Sequence, residues 1–414
     1  MPRLSAILLI LFLFGVCTHA APKSQKRLKR TTVNSRAETE QWEEMKKRFA
    51  PHQSHLSSSL WGLIHGYRSK KELDKAMNLL QVMLDAMAKN NPSRLRRIGG
   101  VQGFMNRFLE IMRSQRDDVV AGFAAKVLAV FGGNRYAADI AEILKGRDKS
   151  WTDEDTYPAP TVRGQAAIAL SIIEAKQYKE DIAALLRSMN RYDRAPAVYA
   201  LSTMKATEYA GEIVSLLSKQ GFSFRMDQSP IHALIDLGVG QRYKKEIAQA
   251  LDEDFSPEVQ EAAVYALAHL GAVEYGPEIA KMLDHRYRRG DAAKGLAILG
   301  AREYVSKIAV MLEDENAPLD QKAALLALGI LEANEYAPKA AQLMSKKSFF
   351  STDAAKSLIL MGANDYLKEA ATHFTLPKSE EYIDVGDLHP LVEEEARETH
   401  KKFLTKLKQL KAQR

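Results

Sequence analysis

The sequence predicts an all-α solenoid, a row of two-helix units stacked side by side, and three observations predict it. Eight of the fifteen tyrosines recur in one frame, at Tyr136, Tyr178, Tyr209, Tyr243, Tyr275, Tyr304, Tyr336 and Tyr366, spaced by 42, 31, 34, 32, 29, 32 and 30 residues. A period near thirty marks a repeat array, in which each unit packs only on its neighbours. Secondly, each tyrosine is followed at offset 3 by a charge (Asp139, Asp181, Glu212, Glu246, Glu278, Lys307, Lys339, Glu369), at offset 4 by Ile or Ala, and at offset 8 by Leu, Met or Phe. Offsets 0, 4 and 8 form one helical face, and a carboxylate at offset 3 suits the positive end of the helix dipole. Thirdly, a small-residue pair lies about a dozen residues before six of these tyrosines: Ala124-Ala125, Ala166-Ala167, Ala262-Ala263, Ala292-Ala293, Ala323-Ala324 and Ala354-Ala355. Side chains this small let neighbouring helices approach closely.

Each unit then reads as helix, tight turn, helix, loop. Glu261 to Leu270 followed by Gly271-Ala272 predicts a first helix stopped by a glycine cap. Ser229-Pro230 and Ser256-Pro257 predict an N-cap followed by proline at the first helical position. The tyrosine rings are expected to pack between the two helices of their own unit. Residues 31–96 form an atypical N-terminal cap, with Leu73, Met77, Leu80, Leu84 and Met87 as one apolar stripe, and the repeats occupy 97–375. Within 376–414 a linker leads to a last helix, roughly 390–412, acidic at its start and basic at its end, with Phe403, Leu404, Leu407 and Leu410 facing the solenoid core.

The pattern A-A-x-A-L-x-x-L-G-A-x-E-Y at Ala262 to Tyr275 resembles the short HEAT-like repeats of phycobilisome lyases, and Gly99 to Phe131 is closer to an armadillo repeat. The resemblance implies a right-handed α-α superhelix, and it implies a scaffold that presents its surface to other proteins.

Residues 1–20 read as a secretory signal peptide. Arg3 supplies the positive start, Ala6 to Val16 the apolar stretch, and Ala20 a small residue before the cut. Eleven apolar residues are too few to span a bilayer. The single cysteine, Cys17, falls inside this segment. Residues 21–30 form a basic linker or propeptide, in which Arg27, Lys29 and Arg30 match the R-x-K-R pattern cut by proprotein convertases. The mature chain is expected to be secreted, starting at Ala21 or Thr31; a bacterial periplasmic location is the alternative.

The net charge of +7 would suggest nucleic acid or an anionic membrane, but its distribution argues against both. Twelve of the 59 cations lie at Arg3, within 21–30 or within 401–414, and these segments contain no carboxylate. The remaining 47 face all 52 carboxylates, so residues 31–400 are net negative by five. A nucleic-acid binder needs a basic stripe on its folded face. No nucleic acid is expected, and a membrane-surface or transport role is the lesser alternative.

Catalytic signals are thin. The chain has no H-E-x-x-H, no G-x-S-x-G, no P-loop and no C-x-x-C. It also lacks the His-Glu dipeptide through which HEAT-like hydroxylases hold iron. His52 and His55 without nearby acids make a poor zinc site, and the acidic loops Asp252 to Asp254 and Glu313 to Glu315 lack Ca²⁺-loop spacing. No catalytic residue, metal or cofactor is expected; the alternative is a divergent HEAT-like enzyme whose site is assembled across repeats. The candidate binding site is the insertion that stretches one tyrosine spacing to 42, Lys145 to Pro160. It holds Trp151, one of only three tryptophans, beside Asp153, Glu154, Asp155 and Tyr157. Long loops on rigid scaffolds commonly carry function, and an aromatic amid carboxylates suits an interface with a basic protein partner. A fold-back of Trp151 onto a neighbouring helix pair is the competing reading.

Overall fold

The computed structural model describes residues 39–49, 70–114, 118–146, 161–217, 229–345, 350–374 and 389–412. These residues are helical, with no strand among them. The chain is an all-α solenoid, and it divides into two compact units, residues 1–209 and 210–414.

Unit 1 contains α1 (39–49), α2 (Lys70–Ala88), α3 (Gly100–Ser114), α4 (Asp118–Gly132), α5 (Ala137–Leu144), α6 (Val162–Ile172), α7 (Lys179–Ala184) and α8 (Arg191–Thr203). Helices α4, α6 and α8 lie side by side in a first layer, and α5 and α7 form the second. The first-layer approach is close enough that a Cβ on Gly164 of α6 would stand 2.8 Å from Pro196 Cγ of α8. At its N-terminal end the unit is sealed by rings. Phe49 stacks on Phe131 at 5.2 Å, Phe104 meets Phe131 edge-on at 5.6 Å, and Phe108 meets Phe123 at 6.5 Å. Trp42 is buried beside them and donates its indole N–H to Asn90 Oδ1 at 3.2 Å. Rings in these offset and edge-on arrangements gain over simple area burial.

Unit 2 contains α9 (Ala210–Ser215), α10 (Pro230–Asp236), α11 (Lys244–Gln249), α12 (Pro257–His269), α13 (Gly276–Lys281), α14 (Arg289–Ile298), α15 (Val305–Ala309), α16 (Pro318–Ile330), α17 (Ala337–Ser345), α18 (Ser351–Met361), α19 (Leu367–Ala370) and α20 (Glu393–Ala412). Helices α10, α12, α14, α16 and α18 make the first layer. The alanine pairs at 262–263, 292–293, 323–324 and 354–355 are all buried in it. The same need for closeness explains Gly295 of α14, where a Cβ would fall 2.3 Å from Val264 Cγ1.

Every first-layer helix from α6 to α18 ends in one turn. After α12, Ala272 N–H donates to Leu267 O (2.9 Å) and Gly271 N–H to Ala268 O (3.0 Å), with Gly271 at φ +62°. This is the Schellman arrangement, whose left-handed residue favours glycine. Gly238, Gly300 and Gly362 occupy the equivalent position, but Glu174, Lys205 and Glu332 also stand there, at φ +50°, +56° and +52°. Of the two predicted serine N-caps, Ser229 accepts from Ile231 N–H at 3.2 Å, whereas Ser256 makes no such bond.

The second layer differs from expectation. The repeated tyrosine is not the first residue of a long helix. In Lys176–Tyr178, Val273–Tyr275 and Arg302–Tyr304 it ends a short 3₁₀ turn, and an α-helix of only five or six residues follows, closed by another 3₁₀ turn such as Met282–Asp284; the helices after Tyr136, Tyr336 and Tyr366 have eight, nine and four residues. The buried stripe is therefore offsets 4, 7 and 8, for instance Ile279, Met282 and Leu283. Tyr136 does pack within its own repeat, against Gly132 at the end of α4, but not every ring stays there. Only Tyr136 is buried, at 4% exposure, and the other seven are half-exposed. In unit 2 the Tyr304 ring leans on Gly276 at the start of α13, and the Tyr243 hydroxyl approaches Gly211 in α9, so each reaches the preceding repeat. An aromatic with a polar tip suits a joint that is apolar on one side and wet on the other.

The charge at offset 3 has two uses. Asp181, Glu212, Glu246 and Glu278 lie in the first turn of their helices. Where lysine replaces them it reaches back across the joint, Lys307 Nζ to Asp284 (2.8 Å) and Lys339 Nζ to Glu313 (2.7 Å). In both cases the residue joins repeats or caps one; the position tolerates either sign because the partner changes with it.

Candidate functional site

Trp151, Asp153, Glu154, Asp155 and Tyr157 lie outside the described residues, as do His52 and His55. What the structure describes is how the insertion is anchored. Before it, α5 buries Ile143 and Leu144. After it, Thr161 caps α6 by accepting from Gly164 N–H at 2.9 Å, and its hydroxyl donates to Asp193 at the start of α8. Asp193 is almost fully buried, accepts from Ser188 Oγ at 2.8 Å and faces Arg163 at 3.5 Å. A buried carboxylate is tolerated only with such partners. It ties the exit of the insertion to the next repeat. Sequence reasoning passed over Asp193 because nothing in its local pattern marks it as buried.

In unit 2 the first-layer face carries a segment from the chain's own C-terminus. Residues Pro390–Val392 form a 3₁₀ turn against α12, and α20 packs on α18. Phe403 and Leu407 are buried, with Phe403 edge-on to Phe374 at 4.9 Å, while Leu404 and Leu410 are half-buried. Lys406 Nζ donates to Leu360 O at the end of α18 (2.6 Å), Lys402 Nζ pairs with Glu332 (2.5 Å), and His269 Nδ1 faces Glu395 at 3.1 Å. The lysines thus serve the negative ends of first-layer helices.

The inner end of this segment is a cluster of titratable groups. His389 stacks on Tyr265 at 4.7 Å with the rings 9° apart, and its ring centre is 5.2 Å from that of His232 on α10. The Tyr265 hydroxyl donates to Asp291 Oδ1 at 2.8 Å, and Lys294 pairs with Asp291 at 3.2 Å while lying over the Tyr265 ring. Leu391 N–H donates to His389 Nδ1 at 3.2 Å, which leaves the proton on Nε2. Neither ring nitrogen of His232 has a hydrogen-bond partner. Burial, and then the neighbouring His389, lowers the His232 pKa to about 4; burial likewise lowers His389 to about 4 against the opposing pull of Asp291. Burial and Asp291 push the Tyr265 hydroxyl far up, so it stays a donor. Both imidazoles are neutral at pH 7.

One further surface stands out. Tyr287 and Leu319 are 87% and 77% exposed, and they border a groove of about 560 Å³ between the starts of α14 and α16. Its carboxylates are already engaged, Asp320 by Arg289 and Asp291 by Lys294. Among the described residues no three His, Cys, Asp or Glu side chains converge as a metal site. Among them, too, no helix is long and apolar enough to cross a membrane.

Residues 259–285 match a family described as the PBS lyase HEAT-like repeat, a stretch that comprises α12, its Schellman turn, the Tyr275 turn and α13. Over these residues the chain carries a HEAT-like repeat. No curated protein matches it in sequence. Solved structures similar to it include the complex of CpcE and CpcF of phycocyanin lyase from Nostoc sp. PCC7120, 19% identical over 62% of this chain and 94% of that one, with a TM-score of 0.32. Kap121p bound to Pho4p is 9% identical over 98% of this chain and 57% of that one, with a TM-score of 0.47. An engineered protein is 16% identical over 89% of this chain and 99% of that one, with a TM-score of 0.38.

Proposed function

We propose that this HEAT-like protein is a secreted, non-catalytic scaffold that binds a protein or extracellular-matrix partner, and that the insertion bearing Trp151, Asp153, Glu154, Asp155 and Tyr157 contacts a basic surface on it. The observation that carries this reading is the setting of the insertion. An aromatic and acidic stretch is held at both ends by packed repeats, through buried Leu144 on one side and the Thr161–Asp193 bond on the other. A rigid frame reduces the ordering cost that a free peptide would meet on binding. Secretion is supported by Arg3, the apolar run Ala6 to Val16 and the small residue Ala20.

The test compares the intact protein with Trp151→Ala in capture of partners from extracellular fluid. The expected result is binding weakened by more than about 1 kcal/mol, or roughly fivefold, with the melting temperature nearly unchanged. A variant that melts early, or that binds like the parent, returns Trp151 to a packing role. Recovery of secreted material with Met1 intact would remove the compartment from the proposal.

A further inference from the structure

We infer that residues 389–412 form an acid-released latch: the His389 turn and α20 dock on the first-layer face of unit 2 at neutral pH, and protonation of the His232–His389 pair frees them. This goes beyond the proposed scaffold role and does not depend on it.

The latch stands first on geometry. The segment holds its face by an apolar seam at Phe403 and Leu407, by lysine contacts at the far end, and by one aromatic plug, His389 on Tyr265, at the near end. The plug is where two imidazoles meet with their ring centres 5.2 Å apart, and His232, at 8% exposure, has no acceptor waiting for a new proton. The groups that face the pair come from two helices. Helix α12 contributes Tyr265, which stacks on His389, and α14 contributes Asp291 and Lys294; beyond them Glu261 of α12 interacts with Asp291 and Lys294, and Glu395 of the latch faces His269. Asp291 is already bonded to Tyr265 and Lys294, and the Glu261 pKa is raised by burial, so little negative charge remains for two imidazolium ions. Two like charges so close and so buried repel each other and forfeit hydration. Leaving the face removes both costs.

The direction and window follow. Burial holds both imidazoles near 4 in the docked state; release returns His389 to water, where an imidazole titrates near 6.5, so the released form gains a proton first as pH falls below 6.5. At pH 5 His389 alone tilts the docked–released equilibrium by roughly twentyfold relative to pH 7. The Glu332 contact responds later. Glu332 is held below its ordinary pKa by its hydrogen bond to Lys402, so that ion pair persists through most of this interval.

Hydrogen exchange of the full chain, corrected for intrinsic rates, reads the two states. The expected result is protection of α20 at pH 7 and its loss at pH 5, with α14 and α16 still protected at both. In the doubly substituted His232→Phe, His389→Phe chain, which keeps the rings and removes the titration, α20 should stay protected at pH 5. Should phenylalanine fail to dock at pH 7, His389→Gln in the same assay takes its place, with the same retention expected. The latch is overturned if α20 of the parent stays protected at pH 5, or if α14 and α16 open with it. It is equally overturned if the substituted chain releases α20 at the parent's midpoint, since the carboxylate pairs would then be the trigger.

Discussion

The N-terminal end of unit 1 and the first-layer face of unit 2 both cover apolar helix surface, and they do so with different chemistry. Unit 1 uses Phe49, Phe104, Phe108, Phe123 and Phe131, rings that carry no titratable group and contact one another. Unit 2 uses a segment whose contacts are half apolar and half titratable: Phe403 and Leu407 on one side, His389, Glu395, Lys402 and Lys406 on the other. A cover of rings responds only to events that unfold it. A cover of imidazoles and ion pairs responds to pH as well, and this difference generates distinct expectations for the two units.

The largest effects should not distinguish them, because each core is dry. Phe104 and Ile279 are both fully buried. Phe104→Ala leaves a cavity among the rings and should cost about 3–5 kcal/mol. Ile279→Asp places an unpaired charge between stacked helices and should cost at least as much, whereas Glu278→Gln, at an exposed position of the same turn, should be mild. Denaturant unfolding checks all three. If Ile279→Asp and Glu278→Gln unfold alike, the buried stripe of the second layer has been assigned to the wrong face.

That stripe was legible in the sequence, and the reason is local: offsets 4 and 8 from each tyrosine repeat eight times within one chain. The alanine pairs and the glycine turns are legible on the same ground. The rings of Tyr243 and Tyr304 were misplaced, because a residue one position before a helix shares its period while its ring can reach the preceding repeat. The candidate site divides similarly. The insertion shows as an excess of spacing, but the cluster at His389 joins residues 157 and 124 positions apart, His232 and Tyr265 respectively. No periodicity reports such a pairing, and His389 looks like a linker residue until the chain is seen to double back. Asp193 has the same excuse, since one of its partners, Thr161, arrives from 32 residues earlier.

The next effect in size separates the units. Two histidines whose pKa values burial lowers to about 4 on folding stabilise unit 2 fully above pH 6.5, and that contribution is lost progressively as pH falls from 6.5 to 4. Each shift corresponds to roughly 3 kcal/mol at most, and the pair shares its partners, so a combined loss of about 3–6 kcal/mol bounds the effect. Following Phe104→Ala between pH 7 and pH 5 should show the same penalty at both, because no titrating group enters the ring cluster. Unfolding of the parent and of His389→Phe over the same interval should diverge, the parent losing more. Equal pH profiles for parent and His389→Phe would erase the contrast between the two covers.

The smallest effect concerns a turn that both units share. Glu174 in unit 1 and Glu332 in unit 2 occupy the left-handed position after their first-layer helices, at φ +50° and +52°, where four other repeats place glycine. A side chain in this region costs about 1 kcal/mol relative to glycine. Glu174→Gly should therefore stabilise unit 1 by up to about 1 kcal/mol, read as a rise in melting temperature of a few degrees. Glu332→Gly relieves the same strain but removes the carboxylate that pairs with Lys402 at 2.5 Å and lies 3.6 Å from Lys406, contacts that join the turn to α20. Surface pairs of this kind contribute about 0–1 kcal/mol each, so the gain at 332 should shrink towards zero while exchange protection of α20 falls. If both glycines stabilise equally and α20 is undisturbed, then Glu332 holds nothing, and the cover of unit 2 rests on its apolar seam, its histidine plug and the Lys406–Leu360 and His269–Glu395 contacts.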